Sequence, residues 1–159
     1  ENVLRLTLLK SATSPDPDAD QGEHRMLYSL LPHRGDWRET VPPEAYAVND
    51  PVIVRVVDGA AAGAGTLAAM GSFVAVDADW AVIETVKRAE DGRGVIVRLF
   101  ENQRNRGTVS LRAGFPVAQA LVCNLLEEDG EPLSVQDDSV AVALTPFKIV
   151  SIRLIPRGA

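Results

Sequence analysis

Cysteine is all but missing: Cys123 stands alone among 159 residues, which excludes an internal disulfide framework and any cysteine-rich zinc motif. Histidine is nearly as scarce, with only His24 and His33. Aromatic residues make up 5% of the chain, so few rings are available either to anchor a core or to stack on a ligand. A basic excess is also lacking, since 22 acidic side chains face 16 basic ones for a net charge of -6. A surface that tracks phosphates needs the opposite sign, so nucleic acid is not an expected partner. No apolar run approaches the roughly 20 residues of a membrane helix, and no charged start followed by an apolar stretch reads as a leader. The expectation is a soluble, cytoplasmic protein without a membrane partner. Glu1 directly precedes the strand-like run Val3–Leu9 with no initiator Met, which reads as a piece of something longer.

What is abundant is β-branched. Valine supplies 20 residues and isoleucine 6, and 12 glycines with 10 prolines punctuate them. This composition predicts an all-β fold, because branched side chains suit a pleated surface and Gly/Pro clusters mark its turns. Val3–Leu9 and Met26–Leu31 alternate well enough to bury one face each, and Pro51–Val57 reads as a further strand. Between the first two lies Ser14-Pro15-Asp16-Pro17-Asp18-Ala19-Asp20-Gln21-Gly22, a loop whose prolines fix φ and whose carboxylates can bond their own backbone. Pro32–Trp37 reads as a turn, and Pro42–Asn49 as the one short helix, with prolines near its start.

Residues 60–71 are mostly Ala and Gly and predict a connecting loop. Beyond it come regularly spaced strands over 73–76, 80–88, 94–101, 107–112, 118–126, 139–144 and 147–154, the pattern of an antiparallel β-sandwich. The segment 81–87 has some helical propensity, but Val82, Ile83, Thr85 and Val86 favour a strand. The domain reading is therefore 1–57 as terminal strands of a larger sandwich, 58–72 as a linker, and 73–159 as a small terminal sandwich. Residues 1–80 hold 12 acidic and 6 basic side chains while 81–159 hold 10 of each, so the acidic excess lies in the first half.

Asp16, Asp18, Asp20, Glu23 and His24 form the most suggestive cluster. Asp-x-Asp-x-Asp opens an EF-hand loop, but Gln21 occupies the position needing Gly and Leu27 the position of the bidentate Glu. A rigid Pro/Asp turn is the favoured reading. Asp20, Glu23, His24 and His33 could supply zinc ligands in number, yet no pair has the spacing of ligands on one helix. No Gly-x-Ser-x-Gly elbow is present, and Cys123 sits in an apolar run that predicts a buried, inert thiol. Acidic residues suffice for a glycosidic carboxylate pair, but the sequence does not say which two face one another. Trp37 and Trp80 suit either a sugar-stacking platform or the core.

Thr13–His24, Tyr28-Ser29-Leu30 and Pro32–Arg38 resemble the C-terminal region of glycoside hydrolase family 38 α-mannosidases. The resemblance continues through Glu44–Ala47, Asn49-Asp50-Pro51, Ser72–Val76, Val86–Gly92, Val97–Glu101 and Pro146–Leu154, and is densest before residue 58. Lys148 stands where an acidic residue is expected and Met26 where an aromatic is usual. The resemblance implies a non-catalytic β-sandwich portion of a zinc-dependent retaining enzyme that hydrolyses terminal α-mannosides. It implies that zinc and an aspartate nucleophile lie in an absent catalytic domain, so that this chain has no catalytic residue, no metal ligand and no cofactor of its own. The expected partners are the remainder of that enzyme and, through it, a mannoside. Asp20, Glu23, His24 and Trp37 are the candidates for the rim of the substrate cleft. Strands lacking their neighbours would leave edges exposed, so a homo-oligomer or aggregate is expected in isolation. The alternative is a stand-alone carbohydrate-binding or interaction module.

Overall fold

The computed structural model describes residues 3–56 and 70–158. The chain divides into two compact units, Glu1–Gly35 and Asp36–Ala159. Among the described residues no helix is long and apolar enough to cross a membrane.

Among its described residues the first unit has turns but no helix and no strand. Val3–Leu9 and Met26–Leu31, expected as strands, make no ladder, and Leu4 and Leu27 are exposed. The physical reason is that alternation specifies a face, whereas a strand exists only when a neighbour takes its N–H and C=O groups. No such neighbour is present among the described residues of this unit.

The second unit opens with helix α1, Trp37–Asn49. It starts ahead of the two prolines, which correct the expectation of a turn through Trp37 by lying inside the helix rather than at its start. Asp36 makes the earlier start possible: its Oδ1 accepts the Arg38 N–H at 3.0 Å, satisfying one of the helix's orphan donors. Pro42 and Pro43 then remove two N–H groups from the ladder. At the far end Asp50 N–H donates to the Tyr46 carbonyl at 2.7 Å, and α1 buries no residue. Residues 51–56 make no strand, contrary to expectation, and Val52, Ile53, Val54 and Val56 are exposed. Val57 and most of the expected linker, 58–69, lie outside the described residues.

The sandwich follows: β1 (Val74–Val76), β2 (Ala81–Arg88), β3 (Val95–Glu101), β4 (Gly107–Ala113), β5 (Val117–Cys123), β6 (Asp129–Leu133), β7 (Val135–Gln136), β8 (Ser139–Leu144) and β9 (Ile149–Pro156). One sheet has the order β1-β4-β8-β7 and the other β2-β3-β9-β5-β6, with antiparallel pairs throughout. Among the described residues the structure has the expected β-sandwich with one short helix, and 81–88 is a strand. β6 and β7 lie between the segments 118–126 and 139–144, where the sequence pattern predicts no strand. Asp-Gly-Glu-Pro-Leu has no strand pattern of its own, and the edge of β5 supplies its pairing, opposite Cys123 at Asp129 and Ala120 at Leu133. Pro132 is tolerated because the strand is at the sheet's edge.

Period-two alternation decides what is buried. Val97 and Leu99, Val109 and Leu111, Val140, Val142 and Leu144, and Val150, Ile152 and Leu154 fill the space between the sheets. Each such side chain stabilises the fold by roughly 1.5–3 kcal/mol relative to exposure. The opposite parity on the five-stranded sheet is also buried in part, with Ala89, Ile96 and Cys123 forming a second cluster and Ser151 and Arg153 buried with it. Gly94 closes the β2–β3 turn at φ +83°, where an added Cβ would meet the Leu154 carbonyl oxygen at 2.3 Å.

Candidate functional site

The Pro/Asp loop is held together by its own carboxylates. Asp16 Oδ1 accepts the Asp18 N–H at 2.9 Å, and Asp20 Oδ2 accepts the Ser11 N–H at 3.0 Å. His24 Nε2 donates to the Asp20 carbonyl oxygen at 2.8 Å, and Gln21 Nε2 to Asp18 Oδ1 at 3.1 Å. Glu23 pairs with Arg25 at 2.8 Å in full exposure. The structure thus brings Asp20 and His24 into contact, but through a backbone carbonyl, as a turn clasp. An Asp bonding backbone two residues on is the ordinary turn-forming use of that side chain. Trp37 belongs to the second unit, half exposed on α1 with the Arg38 guanidinium 5.8 Å from its ring centroid. Trp80 instead packs against the sandwich core.

Two polar features of the sandwich escaped the sequence reading. Glu101 ends β3 with its carboxylate fully buried. Oε1 accepts the N–H groups of Gln103 at 2.8 Å and Asn105 at 2.6 Å, while Oε2 accepts those of Arg104 at 3.0 Å and Phe147 at 2.8 Å. Burial pushes this carboxyl up, and the four N–H donors outweigh it, so it lies below its usual range. One ion therefore ties the β3–β4 loop to the β8–β9 loop. The signal was its parity: Glu101 shares the inward phase of Val97 and Leu99.

Arg153 is the second. On β9, 1% exposed, it donates through Nη1 to Asp91 Oδ1 at 2.8 Å and the Arg93 carbonyl at 2.9 Å, and through Nη2 to the Glu127 carbonyl at 2.6 Å. Its Nε lies 2.7 Å from Asp129 Oδ1 as an ion-pair contact, without the aim of a hydrogen bond. Arg93 bridges the same two aspartates, at 3.0 Å to Asp91 and 2.7 Å to Asp129. Lys87 reaches Glu127 at 2.8 Å and also pairs with Glu90. The Arg93 backbone N–H, with the Arg153 and Arg93 guanidinium groups, holds the Asp91 carboxyl down to about 2. Burial pushes the neighbouring Cys123 thiol up, and the side chain is buried as the apolar run predicts.

Chemically this cluster is closed. Every carboxylate faces a cation or a backbone donor, and the guanidinium has four oxygens around it. It clamps the 90–94 and 124–129 loops over one face of the sheet. Among the described residues no three His, Cys, Asp or Glu side chains converge as a metal seat.

Residues 81–152 match the family model described as "Glycosyl hydrolases family 38 C-terminal beta sandwich domain". Over 160 aligned residues and 97% of its length the chain is 34% identical to alpha-mannosidase 2C1 of Mus musculus and 31% identical to alpha-mannosidase 2C1 of Homo sapiens, covering 15% of each. It is 29% identical to alpha-mannosidase G of Dictyostelium discoideum over 96% of the chain and 14% of that protein. The chain thus spans about 15% of the length of the curated relatives it matches.

Proposed function

We propose, from the premise that residues 81–152 are a C-terminal β-sandwich domain of glycosyl hydrolase family 38, that this chain is the non-catalytic C-terminal part of a longer enzyme that hydrolyses terminal α-mannosides. The observation that carries the reading is the likeness along 97% of the chain to an α-mannosidase of which it covers only 15%. The site chemistry supports it. A retaining glycosidase needs two carboxyl groups about 5–5.5 Å apart across the scissile bond, one of them free to attack. In the sandwich the buried carboxylate, Glu101, is enclosed by four backbone donors, and Asp91 and Asp129 are held by arginines. The likeness to α-mannosidases of which the chain covers only 15% is the ground for assigning the nucleophile, the acid and zinc to the rest of the polypeptide. The sandwich then serves as scaffold.

The alternative of a stand-alone sugar-binding module is the second reading: of the two tryptophans that suit a stacking platform, Trp37 faces its own Arg38 guanidinium and Trp80 packs against the core. The deciding experiment assays an aryl α-mannoside with the 159-residue chain and with the full polypeptide, each with and without a zinc chelator. Turnover is expected from the full polypeptide alone, abolished by the chelator and proceeding with retention of anomeric configuration. Turnover by the 159 residues on their own would sink the assignment.

A further inference from the structure

Away from the arginine cluster, one cleft of the second unit is lined by polar groups that have no partner. Its first wall is a single face of α1: Glu39, Pro42, Pro43 and Tyr46 recur at the i, i+3, i+4, i+7 spacing that sets side chains in one stripe. Its second wall is the end of the sandwich, with Asp79 ahead of β2, Val82 on it, and Asn102 and Gln103 just past β3. The space between them is about 240 Å³, room for one small ring. The sandwich wall is fixed in advance. Asn102 N–H donates to the Trp80 carbonyl at 3.1 Å, Gln103 N–H to Glu101 Oε1 at 2.8 Å, and Gln103 Nε2 to the Asp79 carbonyl at 3.2 Å. The acceptors of the cleft are left over. Among the described residues no cation pairs with the carboxylate of Glu39 or Asp79. Asn102 Oδ1 is buried and accepts no hydrogen bond.

We propose that this cleft is a binding site for one pyranose ring of a neutral sugar. The lining selects that class. Two unpaired carboxylates and an unpaired amide oxygen are acceptors that call for several donors on one small molecule, and adjacent sugar hydroxyls supply them. Pro42, Pro43, Val82 and the Tyr46 ring give the C–H face of the same ring an apolar surface to lie on. Two carboxylates repel phosphate and sulfate, and a bare cation leaves the apolar surface uncovered. Asn102 gains by turning toward the ligand, because a buried acceptor without a donor is unfavourable where it stands. The proposal stands on the cleft, whichever reaction the longer polypeptide performs.

The test replaces Tyr46 by 3-fluorotyrosine in the full polypeptide and follows the fluorine resonance as methyl α-mannoside or methyl β-glucoside is added, so that only binding beside this ring is read. A saturable shift with at least one of the two sugars is expected, half-complete in the millimolar range because a single ring makes few contacts. Glu39→Gln, Asp79→Asn and Asn102→Ala should each raise the half-saturating concentration about fivefold or more. Glu39 and Asp79 are exposed, so their variants keep the fold, which circular dichroism checks. No shift with either sugar overturns the proposal, as does a shift that all three substitutions leave unchanged. Saturation by calcium chloride or methylammonium chloride at a lower concentration than by either sugar also overturns it, and assigns the two carboxylates to a cation.

Discussion

Glu101 shows how one ion organises two loops. A carboxylate with four backbone donors is a strong acceptor set, and deleting it strands buried N–H groups at 1–3 kcal/mol each. Glu101→Ala is expected to cost roughly 3 kcal/mol or more in urea denaturation, with Glu101→Gln intermediate because its amide keeps one acceptor oxygen. The pH dependence has a definite sign. The folded-state carboxyl lies below its usual range, so its stabilisation is present above the unfolded-state pKa and is lost as pH falls through the folded one. Denaturation midpoints from pH 7 to pH 3 should therefore fall less steeply for Glu101→Gln than for the parent sequence. A steeper fall in the variant would refute this. Asp91 behaves likewise over a lower window, from its usual 3.8 down to about 2. Arg153→Ala should cost about 3 kcal/mol, the low end of the range for breaking a buried pair, because Asp91 and Asp129 keep Arg93 and some solvent. Neither residue was visible in composition. The inward parity of Glu101 in an apolar strand was the only trace, Arg153 lying on the opposite parity, and parity does not name partners such as Phe147, 46 residues from Glu101, or Asp91, 62 residues from Arg153.

At the scale of elements, turns and caps govern more than propensity does. Gly94→Ala places a methyl 2.3 Å from the Leu154 carbonyl in a left-handed backbone, so the β2–β3 turn must move away from β9. Loss of soluble folded protein, or a fall in thermal midpoint beyond that of Gly92→Ala, is the expected outcome. Gly92 has a similar φ of +78° but only the flexible end of Arg88 in the way, at 3.4 Å. For α1, Pro42→Ala should deepen the circular dichroism minimum near 222 nm, since a proline inside a helix costs about 3 kcal/mol relative to alanine. The helix was legible through Asn49 but not at its start, because Asp36 as a cap is a matter of side-chain aim. β2 was legible because four branched residues in six outweigh helical propensity. β6 was not, because its order comes from β5.

Over the whole molecule, two kinds of surface stand out: the exposed apolar residues of 3–31 and 52–56, and the apolar groove beside β8 and β9. Apolar area of this extent favours association, so the 159-residue chain alone is expected to give oligomers or aggregates in light scattering, relieved when the full polypeptide is expressed. A monodisperse monomer would argue against it. Amino-acid order by itself determined the all-β class, the inward face of each long strand and the closed Pro/Asp turn, since these depend on period, branching and side chains bonding their near neighbours. It also carried the family resemblance. Only tertiary structure decided which strands pair, why Val3–Leu9 and Pro51–Val56 remain unpaired, and which charges are buried. Those outcomes depend on whether a neighbour is present to complete a hydrogen bond or cover a side chain, and alternation along a chain specifies a face without supplying what packs against it.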